Sequence, residues 1–173
     1  DSNLLISGND VIVAEADEFD RSFLQLFPEI AVITSMDADH LDIYGDEAHI
    51  REAFKAFASQ VSGTVIAKYG LDITPADTKA GILTYSFGDA GADFHAEAVG
   101  TEGRFNLHYP GGVIEDCIVG IPGWVNIENA VAASAIALTY GIEPQKIKEA
   151  LATFSGVKRR FDLRVRKPGC VYI

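Results

Sequence analysis

Two apolar runs of strand length pass directly into acidic side chains. Residues 11–14 lead into Glu15, Asp17, Glu18 and Asp20, and residues 30–34 lead into Asp37, Asp39 and Asp42, with His40 among them. A run that is apolar at every position reads as a strand buried on both faces, the pattern of a parallel sheet covered by helices. Carboxylates gathered at the end of such a strand are unfavourable unless something positive sits between them. A divalent metal at the carboxyl edge of the sheet, where open α/β folds bind ligands, answers that demand. Magnesium takes one or two carboxylates and completes its shell with water and phosphate oxygens. Glu15 is the expected metal ligand. His40, flanked by Asp39 and Asp42, is the second candidate, because its strand end is expected beside the one that carries Glu15. Asp17, Glu18 and Asp20 suit capping of the turn that follows, and His49, His95 and His108 read as structural or exposed.

Further along, residues 20–26 are expected as a short helix stopped before Pro28, and 46–61 as a longer one, with Ile50, Phe54, Phe57 and Val61 at helical spacing. Residues 64–67 and 83–87 continue the strands. The order strand, helix, strand predicts parallel pairing through right-handed crossovers. The pattern then changes. Residues 93–99, 104–109 and 113–119 are short strands broken by Gly100, Gly103 and Pro110-Gly111-Gly112, an antiparallel meander expected as a small side sheet. Residues 127–140 predict an alanine-rich helix, with Asn126 as N-cap and Gly141 as its stop. Residues 144–154 predict another, opened by Pro144, and 161–165 and 170–173 are read as strands. The fold class is therefore α/β, a mostly parallel sheet flanked by helices with a small antiparallel side sheet.

The 173 residues suit one domain with a packed core. A net charge of −11 argues against a nucleic-acid binder. No apolar run approaches the roughly 20 residues of a membrane span, and the start has no basic leader. Cys117 and Cys170 have no metal-type spacing and read as reduced thiols, so a cytoplasmic protein is expected. The chain is expected to be a piece of a longer one, since residues 170–173 read as a strand just beginning. Against the acidic body, Lys158, Arg159, Arg160, Arg164, Arg166 and Lys167 crowd the end of the chain, opposed by Asp162 alone.

Two further segments carry chemistry. A glycine- and proline-shaped loop from Gly120 delivers Asn126 and Asn129, three apart and so on one helix face. Asparagine amides pair with an adenine edge, and plain N-capping by Asn126 is the other reading. Trp124 could stack on a ring, though packing is its commoner role. After the last helix, Arg160 sits in a basic turn that suits either a phosphate or plain solvation. No lysine is followed by serine or threonine, so a phosphate-binding Walker loop is not part of these residues.

Four segments in order, VAEADEFDRSF, ITSMDADHLDIYGD, IPGWVNIENAVAA and FSGVKRRFD, resemble the central ATPase domain of the Mur ligases. Within that family the likeness is to the branch that joins L-alanine to UDP-N-acetylmuramate. The branch that recycles a tripeptide is the alternative, and a non-catalytic nucleotide-binding module is a second one. The resemblance implies a P-loop-like central domain covering residues 1–173, with the Walker loop and a UDP-sugar domain upstream and an amino-acid-binding domain downstream. It implies ATP and Mg2+ as cofactors, with Glu15 and His40 on metal, Asn126 and Asn129 at adenine, and Arg160 beside ribose and phosphates. UDP-N-acetylmuramate and L-alanine would be held by the missing domains, with no nucleic acid and no membrane as partners. By itself the fragment is expected to be inactive. Ser35 stands where many members have asparagine, and Val125 where most have histidine. Lys55, at the helix where several members carry a carbamylated lysine, is expected as an ordinary surface lysine.

Overall fold

Alternation of apolar strand and amphipathic helix produces an α/β architecture here, seen in a computed structural model that describes residues 4–6, 11–37, 46–100, 103–157, 165–167 and 170–172. The chain divides into two compact units, one of Asp1–Val65 with Leu71–Ile82 and the other of Ile66–Gly70 with Leu83–Ile173. A mixed sheet of hydrogen-bonded order β3-β4-β5-β6-β7-β8 is built from Ile30–Ile33, Thr64–Lys68, Gly81–Phe87, Phe94–Val99, Arg104–Tyr109 and Gly112–Ile118. Strands β4 and β5 contribute residues to both units.

In the first unit, α1 (Glu47–Gln60) forms where the sequence places it. Asp46 caps it by accepting from the His49 amide at 3.0 Å, and Val61 ends it. Its apolar face buries Ile50, Ala53, Phe57 and Ala58. The segment Phe19–Gln25 is a tight 3-10 turn rather than an α-helix, because Asp20 and Arg21 both adopt φ of 57°. That left-handed conformation strains a side chain bearing a Cβ, and it breaks the regular α ladder. Phe23 nevertheless buries fully, its ring 5.3 Å from Phe54 and 5.2 Å from Phe57.

The first strand departs from expectation. Residues 12–14 do form a strand, β2 (Ile12–Ala14), but it pairs antiparallel with β1 (Leu4–Ile6) in a separate two-stranded sheet. Ile12 is 67% and Val13 59% exposed, so the run is not the doubly buried strand that its composition suggests. A hairpin of two three-residue strands has no layer on its faces, and burial is decided by cover rather than by hydrophobicity.

In the second unit, β6, β7 and β8 form the expected antiparallel meander, with His95 opposite His108 and Phe105 opposite Cys117. It continues the main sheet rather than standing beside it, because β5 pairs parallel with β6 through Tyr85↔Phe94 and Phe87↔Ala96. The connection between these two strands is short, residues 88–93. Asp93 Oδ2 accepts from the Thr84 amide at 2.7 Å and the Thr84 hydroxyl at 2.8 Å, and Thr84 Oγ1 accepts in return from the Asp93 amide. Helix α2 (Trp124–Tyr140) starts three residues earlier than expected, with Gly123 as its N-cap, so Asn126 lies inside the helix. The alanine-rich face of α2 buries Ile127, Ala130, Val131 and Ala135. Helix α3 (Pro144–Thr153) follows, burying Ile147 and Leu151. Strands β9 (Val165–Lys167) and β10 (Cys170–Tyr172) pair antiparallel; residues 161–164, expected to belong to a strand, lie outside the described residues.

Gly120 is required by close packing. A Cβ there would lie 2.3 Å from the Phe154 carbonyl oxygen, a backbone atom that cannot swing away. Gly120→Ala should lower the urea midpoint of the chain by the equivalent of about 1–3 kcal/mol, the usual cost of overpacking. An unchanged midpoint would show that this approach is looser than described.

Candidate functional site

The acidic edge belongs to the first unit. β2 ends at Ala14, and Glu15, Ala16, Asp17 and Glu18 carry the chain into the 3-10 turn. Asp17 is committed to that turn, as expected of a cap: its Oδ1 accepts from the Phe19 amide at 2.9 Å and its carbonyl from the Ser22 hydroxyl at 3.0 Å. Beyond β3, Ser35 donates to Asp37 Oδ2 at 2.6 Å, and the Asp37 amide donates back to Ser35 Oγ at 2.9 Å. Between these two strand ends lies a cleft of about 150 Å³, walled by Glu18, Thr34, Ser35 and Asp37 over a floor that includes Phe23 and Phe57. Residues that follow β2 and β3 therefore share one cleft, although β2 does not belong to the sheet that holds β3.

Glu15 is exposed and is not itself among the residues lining this cleft, though the next residue, Ala16, is. The donors gathered here are carboxylate and hydroxyl oxygens, the hard ligands that magnesium selects. Among the described residues no group of three or more His, Cys, Asp or Glu side chains converges as a protein-only cage. Magnesium takes only one or two protein carboxylates, with water and phosphate oxygens completing its shell. The residues present thus fit a hydrated magnesium ion. His40 lies outside the described residues.

Lys55 is held differently from a reactive amine. Its Nζ lies 2.8 Å from Asp72 Oδ2 and 3.5 Å from Asp77 Oδ1. The hydrogen bond to Asp72 raises its pKa, so the ammonium is retained. Asp77 is lowered in turn, first by hydrogen bonds from Thr74 and then by Lys55. Because the folded pKa of Asp77 is depressed, its contribution to stability is present above the ordinary carboxylate pKa and is lost as pH falls through the folded value.

The asparagine segment belongs to the second unit. Gly123, at φ of 111°, turns the chain into α2 and makes no side-chain cap. Asn126 is half-buried and its Nδ2 donates to the Pro122 carbonyl, which leaves the amide oxygen as an acceptor. Asn129 is exposed on the next turn, and Trp124 is exposed at the helix start. Between the asparagines sits Glu128, whose Oε2 is 3.0 Å from Lys68 Nζ at the end of β4. Nothing local in the sequence signals this pair, because its members are sixty residues apart. Arg160 lies outside the described residues.

Comparison with known proteins follows the same lines. Residues 3–137 match the model of the Mur ligase middle domain. The chain is 46% identical to the UDP-N-acetylmuramate–L-alanine ligase of Flavobacterium psychrophilum, over 99% of this chain and 38% of that protein. It is 44% identical to that of Porphyromonas gingivalis, over 93% of this chain and 37% of that protein. The chain thus spans under two fifths of the length of these curated relatives. The crystal structure of a UDP-N-acetylmuramate–alanine ligase from Thermotoga maritima superposes with a TM-score of 0.68 at 24% identity, covering 86% of this chain and 34% of that one, which shows the shared fold.

The ion pairs of Lys55 oppose carbamylation, which needs a neutral amine. After incubation with labelled bicarbonate near neutral pH, carbon NMR should show no carbamate on Lys55. A carbamate resonance that disappears in Lys55→Arg would overturn this.

Proposed function

The chain belongs to the Mur ligase family, and on that premise we propose that it is the central ATP-handling domain of a UDP-N-acetylmuramate–L-alanine ligase. The observation that carries this reading is identity of 44–46% to two such ligases along almost the entire chain. A UDP-sugar domain and Walker loop upstream, and an amino-acid-binding domain downstream, belong to the same proposal. So does residence in the cytoplasm, where ATP is available; among the described residues no helix is long and apolar enough to cross a membrane.

The reaction is an amide synthesis driven by phosphoryl transfer. The muramate carboxylate attacks the γ-phosphorus of ATP, the bond to ADP breaks, and an acyl phosphate forms. The amine of L-alanine then attacks the acyl carbon, and the tetrahedral intermediate expels phosphate as the carbon–nitrogen bond is completed. The protein's task is alignment of these groups and exclusion of water. Magnesium, when bound, would neutralise phosphate charge. Glu15 and His40 would hold it, Glu15 as an exposed carboxylate adjoining Ala16 of the cleft. Asn126 would accept from the adenine amino group through its amide oxygen, because its Nδ2 is engaged by Pro122. Asn129 would supply a second amide on the same face, and Arg160 would meet the ribose and phosphates.

In the whole ligase, Glu15→Ala should cut magnesium-dependent release of phosphate by about 100-fold or more, the scale of losing a charge-stabilising group in the transition state. Titrating the variant with magnesium should not restore the rate. Turnover at the wild-type level would sink the metal assignment, and turnover with a tripeptide in place of L-alanine would move the enzyme to the peptide-recycling branch.

A further inference from the structure

Helix α2 begins without a side-chain cap, although Ile127 is already buried in its first turn. Its N-cap is Gly123, which supplies no side-chain hydrogen bond, and the residues that open it, Trp124 and Val125, are exposed. Asn126 ties back to Pro122. The tether to the sheet at this end is Glu128, whose carboxylate meets the ammonium of Lys68, the last residue of β4.

This pair differs from a solvated surface contact. Glu128 is only 16% exposed and Lys68 40% exposed. A carboxylate so withdrawn from water depends on its cation, and removing the partner leaves an uncompensated charge. Its neighbour Tyr85 offers no substitute charge. Burial first, and the Glu128 carboxylate second, push the Tyr85 phenol far up, so it stays neutral. Glu128 lies one turn into α2, past the first turn, so the helix dipole offers it little and Lys68 is its nearby positive partner. Lys68 therefore sets both the charge balance and the direction of the Glu128 side chain, in the same stretch of helix that carries Asn126 and Asn129.

We infer that Lys68 is a positioning residue for nucleotide selection: by pairing with Glu128 it fixes the two asparagines against the adenine ring. The inference rests on the proposed adenine role of Asn126 and Asn129. Lys68 itself need not touch the nucleotide. Its effect falls on binding and base choice, because the amide groups read the base edge while the phosphoryl chemistry takes place elsewhere on ATP.

The test uses the whole ligase. Lys68→Met should raise KM for ATP about tenfold with kcat nearly unchanged, the scale expected when binding groups are displaced without loss of the chemical apparatus. It should lower the preference for ATP over GTP by a similar factor, and leave KM for UDP-N-acetylmuramate as it was. Lys68→Arg, which keeps the charge, should stay within about twofold of the wild type in all three quantities, an ordinary surface-scale effect. The double exchange K68E/E128K should recover part of the base preference. Should Lys68→Met fail to fold, Glu128→Gln removes the same ion pair with the side-chain shape retained, and the same changes are expected of it.

Asn129→Ala is measured alongside. If it relaxes the preference for ATP while Lys68→Met only lowers the melting temperature, the pair is merely structural and this inference is overturned. If Asn129→Ala leaves both KM and base preference unchanged, the adenine reading itself fails and the role of Lys68 falls with it.

Discussion

The packing of Phe23 against Phe54 and Phe57 is the interaction on which the acidic edge depends. These rings, 5.3 and 5.2 Å apart by their centres, pin the turn after Glu18 onto α1. Gln60 adds to the hold, its Nε2 donating to the Leu24 carbonyl at 3.0 Å and the Leu26 carbonyl at 3.1 Å. Without that anchorage a loop carrying Glu15, Asp17, Glu18 and Asp20 would spread its like charges into solvent. With it, the backbone tolerates left-handed Asp20 and Arg21. Strain of this kind persists only where the surroundings over-determine the chain. An apolar cluster thus holds an acidic loop in a strained backbone conformation.

The second unit meets a comparable demand with an ion pair. Helix α2 is apolar enough to bury Ile127, Ala130, Val131 and Ala135 against its surroundings, and that fixes the helix as a body. Burial is non-directional, however, and does not by itself orient the polar side chains of the glycine-capped end. Polar contacts supply direction there, through Asn126 to Pro122 and Glu128 to Lys68. Both units therefore use bulk packing for position and a few oriented contacts for the groups assigned to chemistry.

The likeness to alanine-adding ligases and the physics of the residues agree without being the same argument. Identity of 44–46% establishes kinship. The cleft beside β3 is lined by Thr34, Ser35 and Asp37, which bring hydroxyl and carboxylate oxygens to that edge. Ser35 and Asp37 are joined in a reciprocal side-chain and backbone contact, so a serine at this position closes the turn by itself.

Periodicity alone located α1 to within a residue at each end, because Asp46 and Val61 bracket an apolar stripe whose spacing admits one solution. The meander was equally legible, since Gly103 and Gly111, both at positive φ, occur where the chain must reverse. The acidic ends of the second and third strands were legible too, as a change from apolar to charged residues needs no partner to be seen. Tertiary structure decided the rest. Ile12 and Val13 read as buried, yet burial depends on what covers a strand, and a two-stranded hairpin leaves them open. Asn126 read as a cap, yet the turn at Gly123 let the helix begin earlier. Lys68 and Glu128 carry no signal in the sequence that singles them out. Only the fold brings them together, because an attraction between distant residues leaves no periodic trace in either segment.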